Sequence, residues 1–218
     1  MFRTPVLVPV LVFSLIMLGL LYVAKYQRPP VPGRLLPKTP QTLHVDADQL
    51  TDTLEHGPWV SPGLSGRVLY KIGYRSCPDC ISYEHTEFKD LHAAGVDTRV
   101  ILYARRNLSS APERAVIADL ACTREWPIYE RWMSDVEGAY YFNYGVPPAP
   151  ETSERRSACL EWGRIVRDRV GQIMARNGWN MEVPALFWKN DKGEWRFFLG
   201  NDARGKRLIR SELGVPLH

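Results

Sequence analysis

The chain has 218 residues, of which 45% are hydrophobic and 24% are charged, a composition typical of globular proteins. Its net charge of +4 comes without a basic tract, so we expect no nucleic-acid partner. Four cysteines are too few for a disulfide-rich miniprotein, but they suffice for one reactive pair and one structural disulfide. The length predicts one ordinary domain with a substantial core, plus an appendage.

The N-terminal segment differs from the rest of the chain. Residues 6–24 form a run of 19 residues without a charge. As a helix this run would be about 29 Å long, which matches the roughly 30 Å core of a bilayer. No Ala-x-Ala cleavage site follows it, so residues 1–28 are predicted to be a transmembrane anchor, with a cleaved signal peptide as the alternative. More cationic residues follow the run than precede it, and this charge count alone would leave the domain in the cytoplasm.

Residues 29–66 are predicted to be a proline-rich linker with one short helix. Five prolines occur in residues 29–40, which favours an extended, semi-rigid spacer. A short helix is predicted between Asp46 and Gly57. The globular domain is then expected to begin near Arg67 and to comprise residues 67–218.

The domain opens with a predicted strand, helix and strand, over Val68–Tyr74, Pro78–Ala94 and Val96–Ala104. This order is typical of a βαβ unit with two parallel strands. A mostly helical insert follows, from about residue 105 to 178. Its predicted helices are Pro112–Cys122, Ile128–Val136 and Ser157–Arg176, with an irregular loop over Tyr140–Ser153. Two short strands within residues 184–188 and 194–200 then form a hairpin, and Ala203–Leu213 is the last helix.

Cys77 and Cys80 stand two residues apart, where the first strand ends and the helix begins. Cys77 falls at the helix N-terminus, where unpaired N–H groups and the macrodipole stabilise a thiolate. The thiolate is the attacking species in disulfide exchange. Cys80, one turn further on, would be the buried resolving thiol, and Pro78 fixes the first turn. The pattern predicts a redox-active pair.

Two other interpretations of this pair are weaker. A zinc site needs four ligands, usually in two close pairs, whereas Cys122 and Cys159 lie far apart, each alone on a predicted helix. A purely structural bond between Cys77 and Cys80 would close almost no loop and so constrain little. We therefore expect no metal and no cofactor.

The order of strand, Cys-Pro-Asp-Cys, helix, strand and helical insert, followed by "EVPALFW", a hairpin and a closing helix, resembles the thioredoxin fold. The long insert is similar to that of the bacterial exported thiol–disulfide oxidoreductases of the Dsb type. Within these, the catalytic domain of the disulfide isomerase and reductase branch is the most similar. The resemblance covers roughly Arg67 to Leu213. It implies an α/β thioredoxin-like fold and thiol–disulfide exchange with cysteine-containing exported proteins.

The resemblance also implies roles for four further residues. A proline at the position of Pro184 would have a cis peptide bond and lie against the cysteines, and Val183 would offer its backbone to an extended substrate. Without the resemblance, Pro184 is an ordinary proline at a strand start. Cys122 and Cys159 would form a structural disulfide in the insert, the alternative being two buried free thiols. Such a disulfide requires an oxidising compartment, so we expect the domain in the bacterial periplasm, against the charge count.

Two departures from that branch shape the predicted function. No dimerisation domain fits between the anchor and the first strand, so we expect a monomer. Asp79 places a carboxylate near Cys77, and its negative charge disfavours the Cys77 thiolate. A disfavoured thiolate makes the Cys77–Cys80 pair a weaker oxidant. We therefore expect a reductase or isomerase type of enzyme served by a membrane redox partner. A non-catalytic thioredoxin-like accessory subunit and a cytoplasm-facing reductase are the alternatives.

Overall fold

The structure, a computed structural model, describes residues 36–134 and 154–217 of the chain. The predicted membrane span at residues 6–24 and the predicted loop at 140–153 lie outside this part. Among the described residues, no helix has both the length and the apolar character needed to cross a membrane.

A five-stranded sheet forms the centre of the described fold. The strands are β1 (Gln41–Thr42), β2 (Val68–Gly73), β3 (Asp97–Leu102), β4 (Ala185–Lys189) and β5 (Trp195–Leu199). Their order across the sheet is β1-β5-β4-β2-β3. β2 and β3 run parallel, whereas the other neighbouring strands run antiparallel. The predicted βαβ unit and the predicted hairpin are both present, and they join along β2 and β4.

Helices cover both faces of the sheet. They are α1 (Ala47–Glu55), α2 (Pro78–Ala93), α3 (Ala111–Thr123), α4 (Trp126–Ser134), α5 (Glu154–Arg176) and α6 (Ala203–Leu213). Successive strand residues point to opposite faces, so one strand can supply side chains to two cores. Leu186 and Trp188 of β4 pack in a core with α2, α3, α4 and α6. Ala185 and Phe187 of the same strand pack in a second core with α1 and α5.

The fold begins earlier than the sequence predicted. The sequence predicts a linker with a short helix over residues 29–66, but β1 lies within this range and pairs with β5, with Gln41 opposite Phe197. The short helix is α1, and its Leu50 and Leu54 are fully buried against the sheet. A two-residue strand is too short to show a period of alternation, so no local pattern marks it. The domain boundary near Arg67 is therefore wrong for the described fold.

Candidate redox site

The Cys77–Cys80 pair lies at the junction of β2 and α2. Cys77 is the N-cap of α2, and its Sγ accepts a hydrogen bond from the backbone N–H of Cys80, at 3.2 Å. Pro78 occupies the first turn, where a missing N–H costs no helical hydrogen bond. The two cysteines form a disulfide with a Cα–Cα distance of 5.2 Å. The helix N-terminus therefore faces the Cys77 sulfur.

The two sulfurs differ in their surroundings. Cys77 keeps 3% of its surface exposed, whereas Cys80 is completely buried. Cys80 packs against the end of β2, where a Cβ on Gly73 would lie 2.8 Å from the Cys80 Sγ. That distance is shorter than real Cβ contacts allow, so glycine at this position makes room for the sulfur. Of the pair, only Cys77 has a surface that a substrate can reach.

Val183 and Pro184 lie beside Cys77, although about a hundred residues separate them in sequence. The Val183–Pro184 peptide bond is cis. The carbonyl oxygen of Val183 is 3.9 Å from the Cys77 Sγ. The Pro184 carbonyl accepts a hydrogen bond from the Gly200 N–H at 2.9 Å, which ties this turn to the end of β5. The structure thus brings together the two predicted parts of the site.

Asp79 lies at the surface, in the first turn of α2. A carboxylate is favoured there by the positive end of the helix dipole. It borders a depression of about 640 Å³ on the face that carries the cysteines. The other residues lining this depression are Leu36, Pro37, Lys38, Leu199, Gly200, Asn201, Asp202 and Arg204. Solvent reaches Asp79, so its charge is more screened than that of a buried group.

A buried ion pair under the cysteines was missed by the sequence analysis. Lys71 of β2 and Glu84 of α2 are 1% and 6% exposed, and the Lys71 Nζ pairs with a carboxylate oxygen of Glu84. The Lys71 Nζ lies 3.5 Å from the point where a Cβ on Gly73 would be, the same point that the Cys80 Sγ approaches. A lysine inside the apolar strand "VLYKIG" was the only signal for this pair in the sequence.

The helical insert covers this ion pair. Tyr129 of α4 is buried, and burial together with the Glu84 carboxylate raises the pKa of its phenol well above the usual value. The phenol therefore stays neutral at physiological pH. Trp132 of the same helix stacks under Arg75, with the guanidinium carbon 5.6 Å from the ring centre. The insert thus excludes solvent from the inner side of the site.

Cys122 and Cys159 lie on the helices of the insert. The structure joins them by a disulfide with a Cα–Cα distance of 5.5 Å, linking α3 to α5. An ion pair between Asp119 and Arg156 connects the same two helices. In the described ranges, no three His, Cys, Asp or Glu side chains come together as metal ligands. Cys122 and Cys159 therefore link two helices of the insert covalently.

The site combines a Cys-x-x-Cys pair with a cis proline. The pair lies at the start of the helix that follows β2, a strand with a neighbour on each side. The chain has an α/β thioredoxin-like fold with a helical insert and a Cys-x-x-Cys pair, which confirms the predicted resemblance in fold.

Two solved structures share this fold. A periplasmic thioredoxin-like protein from Salmonella enterica serovar Typhimurium matches 78% of this chain and 99% of its own, with 15% identity and a TM-score of 0.54. ScsC from Proteus mirabilis, in a compact conformation, matches 95% of this chain and 90% of its own, with 13% identity and a TM-score of 0.55. No protein-family model matches the sequence. No curated protein matches it significantly.

Proposed function

We propose that the protein is a thiol–disulfide oxidoreductase that exchanges disulfides with cysteine-containing protein substrates. One observation carries this proposal: the Cys77 sulfur lies at the N-terminus of α2, accepts the Cys80 N–H at 3.2 Å, and faces the Val183 carbonyl. A helix N-terminus stabilises a thiolate, and the thiolate is the nucleophile of the exchange. A cysteine that only held the fold would have no need of this position.

In the reducing direction, the reaction has two steps. The Cys77 thiolate attacks a substrate disulfide, forming a bond to one substrate sulfur while the other leaves as a thiolate. The Cys80 thiolate then attacks the Cys77 Sγ, forming the Cys77–Cys80 disulfide and releasing the first substrate sulfur. Two electrons pass from the cysteine pair to the substrate. The same steps in reverse oxidise a substrate dithiol.

The backbone at Val183 is the proposed docking point for the substrate. Its carbonyl is within 3.9 Å of the Cys77 sulfur, and the side chain of Val183 is only half-buried. An extended segment that forms hydrogen bonds with this backbone would carry its own cysteine past Cys77. Pro184 is buried and holds the turn in place. Such main-chain recognition tolerates many substrate sequences.

The Lys71–Glu84 pair supports the second step. Cys80 is buried, so it needs a nearby group that favours its thiolate when it attacks the mixed disulfide. The Lys71 ammonium and the Cys80 sulfur both approach the point where a Cβ on Gly73 would lie, and a positive charge in this region favours the charged form of the thiol. The carboxylate of Glu84, paired with Lys71, is an ionisable acceptor for the proton that Cys80 loses.

The test is reduction of insulin by the purified protein, with trapping of intermediates. The wild type should reduce insulin in the presence of a thiol donor, and Cys77→Ser should not. Cys80→Ser should accumulate mixed disulfides with substrates, visible on non-reducing gels, because no resolving thiol remains. Adducts that persist without Cys77, or a wild type without reductase activity, would favour the non-catalytic accessory role instead.

The finer features of the proposal concern location and partners. Residues 6–24 would anchor a monomer in the bacterial inner membrane, with the domain in the periplasm acting on exported proteins. A membrane redox partner would supply electrons, and the enzyme would act mainly as a reductase or isomerase. The disulfide between Cys122 and Cys159 supports this location, because structural disulfides persist in oxidising compartments. A reporter that is active only after export, fused after residue 218, should be active, whereas activity of a cytoplasm-only reporter would reverse the topology.

A further inference from the structure

We propose that a groove of arginines beside Cys77 binds acidic residues of the protein that exchanges its disulfide at this site. This inference rests on the proposed function and names its substrate class, cysteines with Asp or Glu a few residues away. The groove lies between the segment after β3 and one face of α5, and its volume is about 360 Å³. Its arginines are Arg105, Arg106, Arg164 and Arg167.

Arg105 places the groove next to the nucleophile. Its Nη2 donates a hydrogen bond to the Ser76 Oγ at 2.9 Å, and Ser76 directly precedes Cys77. The guanidinium carbon of Arg105 lies 4.1 Å from the ring centre of Tyr74, at the end of β2. In the sheet, β2 has β4 on one side and β3 on the other. Cys77 therefore lies between Val183, which precedes β4, and the arginine groove, which follows β3.

The groove carries an excess of positive charge. Arg106 and Arg164 share one carboxylate, that of Glu161, and Arg167 pairs with Asp168. Four guanidinium groups thus face two carboxylates.

Arg105 differs from the other three arginines in its partners. In the described part of the chain, these partners are the Ser76 hydroxyl and the Tyr74 ring, neither of which is an acid. Its side chain is half-buried, so part of the guanidinium group remains open to solvent. Arg105 can therefore bind a carboxylate from another molecule through the N–H groups that Ser76 does not occupy.

The chemistry and the spacing of the groove suit acidic side chains. A guanidinium group binds a carboxylate through two parallel hydrogen bonds, which favours Asp and Glu over neutral side chains. An extended peptide advances about 3.3 Å per residue. When the cysteine of such a peptide lies at Cys77, the peptide residues two to four positions from that cysteine would reach the groove. Charges at the edge of an interface mainly increase the association rate. We therefore expect the arginines to increase the rate at which Cys77 attacks an acidic peptide.

The experiment compares two synthetic peptides that differ only in charge. Each has one cysteine blocked as a 2-pyridyl disulfide, with either two Glu or two Gln placed two to four positions from the cysteine. The Cys77 thiolate of the reduced protein attacks the peptide sulfur, forms a mixed disulfide and releases 2-thiopyridone. This leaving group is neutral, so only the peptide charge differs between the reactions. Its absorbance gives the second-order rate constant for each peptide.

We expect the wild type to react about tenfold faster with the Glu peptide at low salt, and the ratio to approach one in about 1 M salt. Arg105→Gln/Arg106→Gln should lower the ratio below about two. Lys192→Gln/Arg207→Gln removes the same net charge from exposed positions outside the groove and should keep the wild-type ratio. Should the first double variant not fold, Arg106→Gln alone should still lower the ratio, because the Arg106 side chain is 76% exposed.

Three results would overturn this inference. Equal rates for both peptides would show that the site has no acidic preference, while leaving the exchange activity intact. A Glu preference retained by Arg105→Gln/Arg106→Gln would place the recognition elsewhere. No release of 2-thiopyridone from either peptide, or from neutral dipyridyl disulfide, would overturn the proposed function together with this inference.

Discussion

Two charged residues near the cysteine pair differ in how strongly solvent screens them. Asp79 is exposed in the first turn of α2, so water and salt weaken its field at Cys77. Lys71 is 1% exposed, in surroundings where the same charge interacts several times more strongly. We therefore expect the buried Lys71–Glu84 pair to affect the stability of the cysteine thiolates more than Asp79 does.

Replacing Asp79 with Asn should stabilise the Cys77 thiolate, because the change removes a negative charge from the same helical turn. The thiolate absorbance titration should shift to lower pH, and the reduction potential should rise. Because Asp79 is exposed, the rise should stay within about 30 mV, which corresponds to a tenfold change in the exchange equilibrium.

The matched control for Asp79→Asn is Asp48→Asn. It removes the same charge from the first turn of α1 and should leave both quantities unchanged. A Cys77 titration that stays in place or moves to higher pH in Asp79→Asn would contradict this account of the dipeptide. The proposed preference for a reducing role would then lose its support.

At the scale of elements, local signals predicted most of the fold. The last helix was predicted over Ala203–Leu213, which are its bounds in the structure. Asp202 caps its N-terminus and Gly214 ends it with a positive φ of 72°. Both ends can therefore be predicted from neighbouring residues in the sequence. β1 was missed because its two residues form a strand only by pairing with β5, far along the chain. Pairing between distant segments leaves no local pattern.

The same distinction explains which parts of the site the sequence revealed. Cys77 and Cys80 could be predicted because a helix N-terminus and a Cys-x-x-Cys spacing are local features. The contact of Lys71 with Glu84 depends on which face of β2 meets α2, and the contact of Arg105 with Ser76 depends on the order of the strands. A predicted βαβ unit places β2 and β3 near each other, but a single sequence does not show which side chains meet across their faces and ends.

The disulfide between α3 and α5 should contribute stability and not chemistry. Its loop spans 37 residues, and closing a loop of that length in the unfolded state stabilises the fold by about 3 to 4 kcal/mol. Changing Cys122 and Cys159 together to Ala should lower the melting temperature while leaving the exchange rate per folded molecule unchanged. Thiol titration of the wild type before and after reduction provides the check. Four free thiols and an unaltered melting temperature in the double variant would disprove the pairing.

At the scale of the whole molecule, both cores include side chains that precede Arg67, but the two cores depend on this early segment to different degrees. The core that contains Leu186 is covered by helices that all come after Arg67. The core that contains Phe187 is covered by α5 and by α1, whose residues precede Arg67. Val60 of the same early segment lies in the core that contains Leu186, where it bridges Val100 and is 1% exposed. Residues 41–66 therefore complete the domain and do not merely connect it.

A chain beginning at residue 67 should consequently lose most of its stability. It lacks Leu43, Leu50, Leu54 and Val60, which are between 0% and 6% exposed in the structure. Each such side chain contributes about 1.5 to 3 kcal/mol when fully buried, against a total of about 5 to 15 kcal/mol for an ordinary domain. The truncation also exposes the edge of β5 that β1 covers, which favours aggregation. Thermal unfolding should be cooperative for residues 36–218 and absent, or shifted far down, for residues 67–218.

Substitutions in the longer chain separate this packing effect from the effect of chain length. Leu50→Ala removes a fully buried side chain and should cost about 2 to 5 kcal/mol. Val45→Ala, at a residue that is 46% exposed in the same segment, should cost well under 1 kcal/mol. The free energies of unfolding in urea give both values directly. Equal costs for the two variants, or equal melting temperatures for the two chain lengths, would return residues 41–66 to the status of a linker. The predicted losses of stability follow because the core that contains Phe187 is shielded from solvent only when α1 packs against it.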